Sequence, residues 1–278
     1  ALYGIHGILT TQWAHRPRQS AISLFVAGQC IIGAVAYAYW QHIPVQWNYV
    51  GYEFAVVAGM VVVGQWDHHD QLNALAKRNV PLVVWGAMLP DQVYCSVGSD
   101  NAMGGYEATL HLIQQGRKHI AFMGDYQSGE VKFRYEGYCK ALAEHGLSLN
   151  PALRIASPFT PLEAQQAMHQ FCDQQQHIDA LFAASDLIAI NAMGVLTARG
   201  FKVPEDVAVV GYDDVEPAAH SFPPLTTVRQ PLDLAGVHLV DGLLRIMAGA
   251  MCPTRGEVRV DHLALLATHA GDRGQWLG

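Results

Sequence analysis

The sequence has few charged residues, and those it has are more often acidic than basic. Only 15% of its 278 residues are Asp, Glu, Lys or Arg, and the formal net charge is −7 at pH 7. A protein that holds phosphate backbones by bulk charge needs the opposite balance. The composition therefore argues against a chain that binds nucleic acid through a broad basic surface.

Paired cysteines and catalytic signatures are also missing. The five cysteines are scattered and form no C-x-x-C pair: Cys30, Cys95, Cys139, Cys172 and Cys252. This pattern predicts free thiols in a reducing compartment and no cysteine-based metal centre. The sequence contains no G-x-S-x-G elbow and no P-loop, so we expect neither an enzymatic activity nor a cofactor.

One long stretch carries no charge at all. Ala21 to Trp40 could be a membrane span or the apolar core of a signal peptide. Its hydrophobic period changes midway, however. The first half keeps helical spacing, whereas Val35, Tyr37 and Tyr39 alternate as in a strand. This change favours a helix followed by a strand, in a chain with no membrane partner.

Short apolar runs alternate with helical segments along the chain. Runs such as Gly59 to Val63 and Val207 to Val210 are typical of strands buried on both faces of a parallel sheet. Val258 to Leu266 is predicted to form a late strand. Several helical segments end at a glycine, for example Gly116 and Gly146. The alternation predicts an α/β fold with doubly wound parallel sheets. Because the alternation of strands and helices starts again near Gly104, we expect two lobes that are joined at more than one place.

The stretch from Glu205 to Gln230 contains the clearest candidate site. Its apolar run ends in two adjacent carboxylates, Asp213 and Asp214. Ligands of open α/β sheets bind at the carboxyl ends of strands, so a ligand-binding acid is expected here. The alternative is an acid that only stabilises a turn. Pro223 and Pro224 then predict an extended crossover into another part of the molecule.

The residues VVGYDDVE and PPLTTVRQP in this stretch closely resemble the effector-binding core of the lactose/galactose-repressor family. Other blocks carry the same resemblance: AGMVVVG, NVPLVVW, SVGSDNAMGGYEATLHLIQQGRKHIAFMGD, RYEGYCKALAEHGL and DALFAASDLIAINAMGVLTARGFKVPEDVAVVGYDD. The resemblance implies two Rossmann-like lobes with parallel sheets, a type I periplasmic-binding-protein-like fold, and a ligand cleft between the lobes. Residues 1–100 with 230–257 would form the first lobe, and residues 101–229 with 258–278 the second.

The function implied by this resemblance is the sensing of a small effector by a bacterial transcription regulator. The effector would be a sugar or a sugar-like molecule, and the protein would be a cytoplasmic homodimer. Operator DNA would be bound only through a helix-turn-helix headpiece, which we do not expect in this chain because a first strand begins within a few residues of Ala1. The alternative is a periplasmic sugar-binding protein of the same fold.

Two residues match the family's effector-binding positions most directly. Asp213 matches an aspartate whose carboxylate can accept hydrogen bonds from neighbouring sugar hydroxyls. Arg134, in the block RYEGYCKAL, matches an arginine that donates to ligand hydroxyls or carboxylates through its planar five-donor group. We expect Asp213 to bind the ligand and Asp214 to stabilise the structure.

Further candidates come from the same resemblance. Phe159 falls where the family often has an aromatic ring that stacks on the effector, with core packing as the alternative. Ser185 and Asp186 occupy a usual asparagine–aspartate pair, so we expect Ser185 to contact ligand and Asp186 to cap the following helix. In the first lobe, one loop facing the cleft supplies three candidate contacts: Trp13, His15 and Arg16.

The chain departs from the family pattern at several positions. Gly86 stands where many members have an aspartate at the end of a strand. Ser128 and Glu130 replace the arginine and threonine of purine-binding members, which disfavours a purine effector. The histidines of WDHHD are adjacent and point about 100° apart on a helix, so we expect a helix start capped by Asp67 and no metal site.

Overall fold

The computed structural model describes residues 59–65, 68–127, 129–250, 258–259 and 264–266. The strands in these residues are β1 Met60–Val63, β2 Leu82–Trp85, β3 Cys95–Gly98, β4 Ile120–Met123, β5 Arg154–Ile155, β6 Ala180–Ala183, β7 Ala208–Asp213, β8 Thr226–Arg229, β9 Val258–Arg259 and β10 Ala264–Leu266. The helices are α1 His69–Lys77, α2 Asn101–Gln114, α3 Gly129–Glu144, α4 Pro161–Asp173, α5 Asp186–Ala198, α6 Glu216–His220 and α7 Leu232–Met247.

The described strands form two sheets, in agreement with the predicted α/β fold. The first sheet has the order β1-β2-β3-β9 and is parallel throughout. The second has the order β10-β8-β7-β6-β4-β5, in which β10 alone runs antiparallel to its neighbour. Strands β4 and β6 are buried along their whole length. Continuous apolar runs suit these positions because helices cover both faces of such a sheet.

Within the described residues, the chain passes between the two sheets three times. It leaves the first sheet after β3 and enters α2, which packs against α3 beside the second sheet. It returns after β8 through α7, which packs against β1, β2 and β3. The third passage lies between β9 and β10. A ligand site in this fold is therefore positioned by the carboxyl ends of the parallel strands and by the first two passages.

The last strands differ from the sequence-based prediction. We predicted a single strand from residue 258 to 266, within the second lobe. The prediction of one continuous strand is wrong, because Val258 pairs with Val97 in the first sheet, whereas β10 pairs with β8 in the second. Hydropathy alone cannot reveal a change of partner between two short strands of similar composition. The division of the whole chain into lobes stays a prediction.

Helix ends follow local side-chain chemistry. Asp100 and Thr160 cap α2 and α4 by accepting hydrogen bonds from the backbone of Met103 and Glu163. At Gly146, just after α3, φ is +69°, as expected for a glycine that ends a helix. The proposed cap Asp67 lies outside the described residues, as does the uncharged stretch from residue 21 to 40. None of the described helices is both long and apolar enough to cross a membrane.

The cysteines fit the prediction only in part. Cys139 and Cys172 are free thiols, as expected. Burial raises the pKa of both thiols, which keeps them protonated near neutral pH. Cys95, by contrast, is disulfide-bonded, so the prediction of a free thiol is wrong there. Scattered spacing did not reveal this bond because the fold, and not sequence separation, decides which cysteines meet.

Candidate functional site

Arg134 lies at the centre of a polar cluster at the carboxyl ends of the second sheet. It is only 5% exposed, on the second turn of α3. Its Nε donates to Asn101 Oδ1 at 2.8 Å, and one terminal nitrogen donates to the carbonyl of Ala184 at 2.5 Å. Its Cζ lies 3.7 Å from the centroid of the Tyr212 ring. The guanidinium is therefore held in one plane before any ligand arrives.

Asp213 ends β7 beside this guanidinium. One of its carboxylate oxygens lies 3.6 Å from a terminal nitrogen of Arg134. The same oxygen accepts a hydrogen bond from Gln230 Nε2 at 2.5 Å. Burial raises the pKa of Asp213, while Arg134 and the Gln230 bond act in the opposite direction. Its side chain is still 29% exposed, so a ligand can reach the carboxylate.

The backbone at this strand end is unusual for two non-glycine residues. The φ angles of Asp213 and Asp214 are +111° and +57°. Residues other than glycine rarely adopt positive φ angles, and those that do are concentrated at ligand-binding sites. Asp214 accepts a 2.6 Å hydrogen bond from Arg229 Nε. Because of this turn, the two adjacent carboxylates contact different partners: Asp213 lies beside Arg134, and Asp214 pairs with Arg229.

Asp186 lies directly beneath this turn and is fully buried. It accepts hydrogen bonds from Thr227 Oγ1 at 2.5 Å and from the backbone nitrogen of Val215 at 2.9 Å. Burial raises its pKa to about 6 despite these two bonds. A Cβ at Gly211 would lie 2.3 Å from its Oδ1, so only glycine leaves room for this carboxylate.

The expected role of Asp186 as a helix cap is wrong. Ser185 is the N-cap of α5, and its Oγ accepts a 3.3 Å hydrogen bond from the backbone of Ile188. Ser185 is 3% exposed. A contact between Ser185 and a ligand stays a prediction. Sequence reasoning assigned the cap to the wrong member of the pair because both residue types are good N-caps.

The remaining predicted site residues are less informative. Phe159 lies on the loop between β5 and α4 and is 40% exposed, which removes core packing as its alternative role. Trp13, His15 and Arg16 lie outside the described residues. No group of three or more His, Cys, Asp or Glu side chains within the described segments could hold a metal ion.

Two glutamines near the cluster were missed by the sequence analysis. Gln65, fully buried after β1, binds both the carbonyl and the N–H of Ala87. A Cβ at Gly86 would lie 2.3 Å from Gln65 Oε1 and 2.9 Å from Glu130 Oε1, which explains why this chain has glycine there. Gln230, the second missed residue, contacts Asp213. A glutamine just after a strand has no sequence signature that separates it from a surface residue.

Comparison with known proteins places this cluster in context. The periplasmic binding protein-like domain family matches residues 109–267. The HTH-type transcriptional repressor PurR of Haemophilus influenzae (strain PittEE) is 34% identical over 192 residues, which are 68% of this chain and 56% of that protein. The HTH-type transcriptional regulator CelR of Thermobifida fusca is 41% identical over 165 residues, 58% of this chain and 48% of that protein. The chain therefore spans about half the length of these curated relatives.

Solved structures agree with the sequence matches. The complex of the transcriptional regulator CelR with cellobiose has a TM-score of 0.69 at 34% identity and covers 76% of this chain and 64% of that one. A LacI-family sugar-binding transcriptional regulator from Escherichia coli, complexed with phosphate, has a TM-score of 0.65 at 26% identity, covering 76% of this chain and 75% of that one.

Proposed function

Since the chain belongs to the periplasmic binding protein-like domain family, in its lactose/galactose-repressor branch, we propose that it is the effector-binding core of a transcription regulator. Its ligand is a small sugar or sugar-like molecule that binds between two lobes. On this proposal the chain binds its ligand without transforming it. Regulation then depends on the difference in affinity between the open and closed arrangements of the lobes.

The observation that carries this proposal is the pairing of Arg134 with Asp213 at the carboxyl ends of the second sheet. The arginine supplies fixed donors, and the partly exposed carboxylate supplies an acceptor. Vicinal hydroxyls of a sugar can donate to such a carboxylate and accept from such a guanidinium at the same time. Charge-assisted hydrogen bonds of this kind gain strength when closure excludes water.

A sugar is the favoured ligand class for two reasons. One structural relative is described in complex with cellobiose and another as sugar-binding, and both share the fold of this chain. In addition, the carboxylate of Glu130 acts on Asp213 by raising its pKa, so the site holds two acidic groups beside its buried arginine. That balance suits a neutral, hydroxyl-rich molecule better than a phosphorylated one.

The full regulator is proposed to be a cytoplasmic homodimer that binds operator DNA through a headpiece. The outer face of α7 supports a self-association surface because large apolar side chains on it are exposed: Leu234, Val237, Val240, Leu244 and Met247. Symmetric pairing of such a face is the commonest geometry for oligomers. Light scattering should give twice the monomer mass, and replacing Val237 and Val240 by lysine should return it to the monomer mass.

The alternative, a periplasmic sugar-binding protein, is favoured by one observation. Cys95 is disulfide-bonded, and disulfides persist mainly in oxidising compartments. The two proposals differ in where the native protein is found. Fractionation of the native host, with detection by an antibody to this domain, separates them.

A thermal-shift experiment tests the ligand proposal. Cellobiose, glucose and glucose 6-phosphate are each added to the protein, because a ligand at 100 times its Kd stabilises the folded state by about 2.7 kcal/mol. We expect a neutral sugar to raise the Tm by roughly 5 °C or more. The matched control is Asp173→Asn, on the exposed surface of α4, which should respond like the parent, whereas Asp213→Asn should not respond. A panel in which only the phosphorylated sugar stabilises the protein would contradict the proposed ligand class.

A further inference from the structure

Side chains from the first two of the three inter-sheet passages converge on the carboxylate and guanidinium of the candidate site. The first passage, which runs from β3 into α2, contributes Ser99 and the first residue of α2, Asn101. The second passage, between β8 and α7, contributes Gln230. Each of these side chains is bonded to Arg134, to Asp213 or to another member of the same group.

The contacts close into a ring. Ser99 Oγ donates to Gln230 Oε1 at 2.8 Å, and Gln230 Nε2 donates to Asp213 Oδ1 at 2.5 Å. Asp213 Oδ1 lies 3.6 Å from Arg134, and Arg134 Nε donates to Asn101 Oδ1 at 2.8 Å. Asn101 Nδ2 then donates to the carbonyl of Ser99 at 3.1 Å. The ring joins both passages to both principal ligand-binding candidates.

Within this ring, the carboxamide of Gln230 has a fixed orientation. Its oxygen accepts from Ser99, so its NH2 group must face Asp213. A flipped carboxamide would place oxygen against the carboxylate and NH2 against the Ser99 hydroxyl, which loses the donation to a charged group. Ser99 is 1% exposed and cannot exchange this bond for one to bulk water. The serine therefore sets the direction in which Gln230 donates.

We propose that Gln230 is a positioning residue of the ligand site, which fixes the Asp213 carboxylate for ligand binding and ties it to both passages between the lobes. Ser99 acts through Gln230 by orienting its carboxamide. This inference rests on the proposed function, since it assigns Asp213 to the ligand. It follows that a change in the angle between the lobes moves Ser99 and Gln230, and with them the carboxylate.

The experiment compares Gln230→Leu, Ser99→Ala and the double variant with a control. The leucine removes both hydrogen bonds at similar size. The control is Gln165→Leu, because Gln165 also donates to a side chain, Asn191, but on the exposed surface of α4. Circular dichroism and Tm show which variants are folded. The first measurement is the pKa of Asp213 by carbon-13 NMR of labelled aspartate, which needs no ligand.

Gln230→Leu should raise the pKa of Asp213, because the lost bond stabilised its charged form. Ser99→Ala should raise it less, and the double variant should match Gln230→Leu, because Ser99 reaches the carboxylate through its bond to Gln230. The variants replace none of the other titratable groups around Asp213: Arg134, Glu130, Asp186, Asp214, Arg229 and Tyr212. Ser99→Ala also removes a neighbour of the buried Tyr212 hydroxyl. An unchanged pKa in Gln230→Leu, or fully additive effects of the two substitutions, would overturn the proposal.

The second measurement is the affinity for cellobiose by titration calorimetry. Gln230→Leu should bind about tenfold or more weakly, the effect of losing one hydrogen bond to a charged group. Gln230→Glu places a second carboxylate against Asp213, so its affinity should recover as the pH falls from 8 to 5 and a shared proton restores the bond. Gln230→Leu should show no such recovery. A parent protein that does not bind cellobiose would exclude cellobiose as the ligand, while the pKa measurement would still decide the role of Gln230.

Discussion

The buried carboxylate beneath the site should make the stability of this protein depend on pH in a specific way. Asp186 is fully buried, and its pKa is raised from 3.8 to about 6. The folded state therefore binds a proton on this residue more tightly than the unfolded state does. The stabilising contribution of that proton is fully present below the unfolded pKa and is lost as the pH rises through the folded pKa.

The magnitude follows from the size of the shift. One pKa unit corresponds to about 1.4 kcal/mol, so the full contribution is about 3 kcal/mol, of which roughly 2 kcal/mol is lost between pH 4 and pH 7. Asp186→Asn does not titrate, and its amide can still donate to Thr227 and accept from the backbone of Val215. The variant should therefore gain about 2 kcal/mol in unfolding free energy relative to the parent over this pH range.

Urea denaturation of both proteins at several pH values measures this difference directly. Carboxylates remote from Asp186 titrate in both proteins alike, so their contributions cancel in the comparison. Asp213 and Asp214 repel the charged form of Asp186, and the variant lacks that repulsion. Asp173→Asn is the control, because Arg199 lowers the pKa of Asp173 and the residue is exposed. Between pH 4 and pH 7, the unfolding free energy of Asp173→Asn relative to the parent should change only slightly, and in the opposite direction. If the difference in unfolding free energy between Asp186→Asn and the parent stays constant from pH 4 to pH 7, the assigned environment of Asp186 is refuted.

Further substitutions test the site and the packing beneath it. Asp213→Ala should weaken sugar binding by about 2–5 kcal/mol, or thirty-fold and more, in a calorimetric titration. Asp214→Ala should keep most of the affinity but lower the Tm, because it breaks the ion pair with Arg229; equal affinity losses in the two variants would contradict this division of roles. Gly137→Ala should destabilise the protein by about 3 kcal/mol, since its Cβ would lie 2.0 Å from a backbone oxygen of α2. Gly194→Ala, in an open part of α5, should stabilise it by up to about 1 kcal/mol, and urea denaturation distinguishes the two.

Local patterns in the sequence were sufficient to predict the parallel sheets and many helix ends. The apolar run from Val207 to Val210, most of which lies in β7, differs so much from its surroundings that a buried strand is clear from composition alone. The final strands were not predictable in the same way. The residues from 258 to 266 carry the right pattern for a strand, but the pattern says nothing about which sheet each part joins.

The same limit applies to the site. The strand-end position of Asp213 follows from the general geometry of parallel sheets, and the family resemblance pointed to Arg134. The partners of these residues did not follow, because Ser99 and Gln230 lie far apart in the sequence and meet only through two separate passages. The cap was assigned to Asp186 instead of Ser185 because both residue types are good caps, and the fold decides at which of them the helix begins.

The late arrival of β9 has a consequence for how the chain is synthesised. β3 leaves the ribosome long before β9, and all of the second sheet except β10 is made between them. At about 5–20 residues per second, the interval is on the order of ten seconds. During that time the outer edge of β3 lacks the strand that later pairs with it, and an open edge is a template for pairing with other chains. Translation that pauses before residue 258 should therefore favour misassembly, and a nascent-chain chaperone that shields this edge should improve the yield of folded protein.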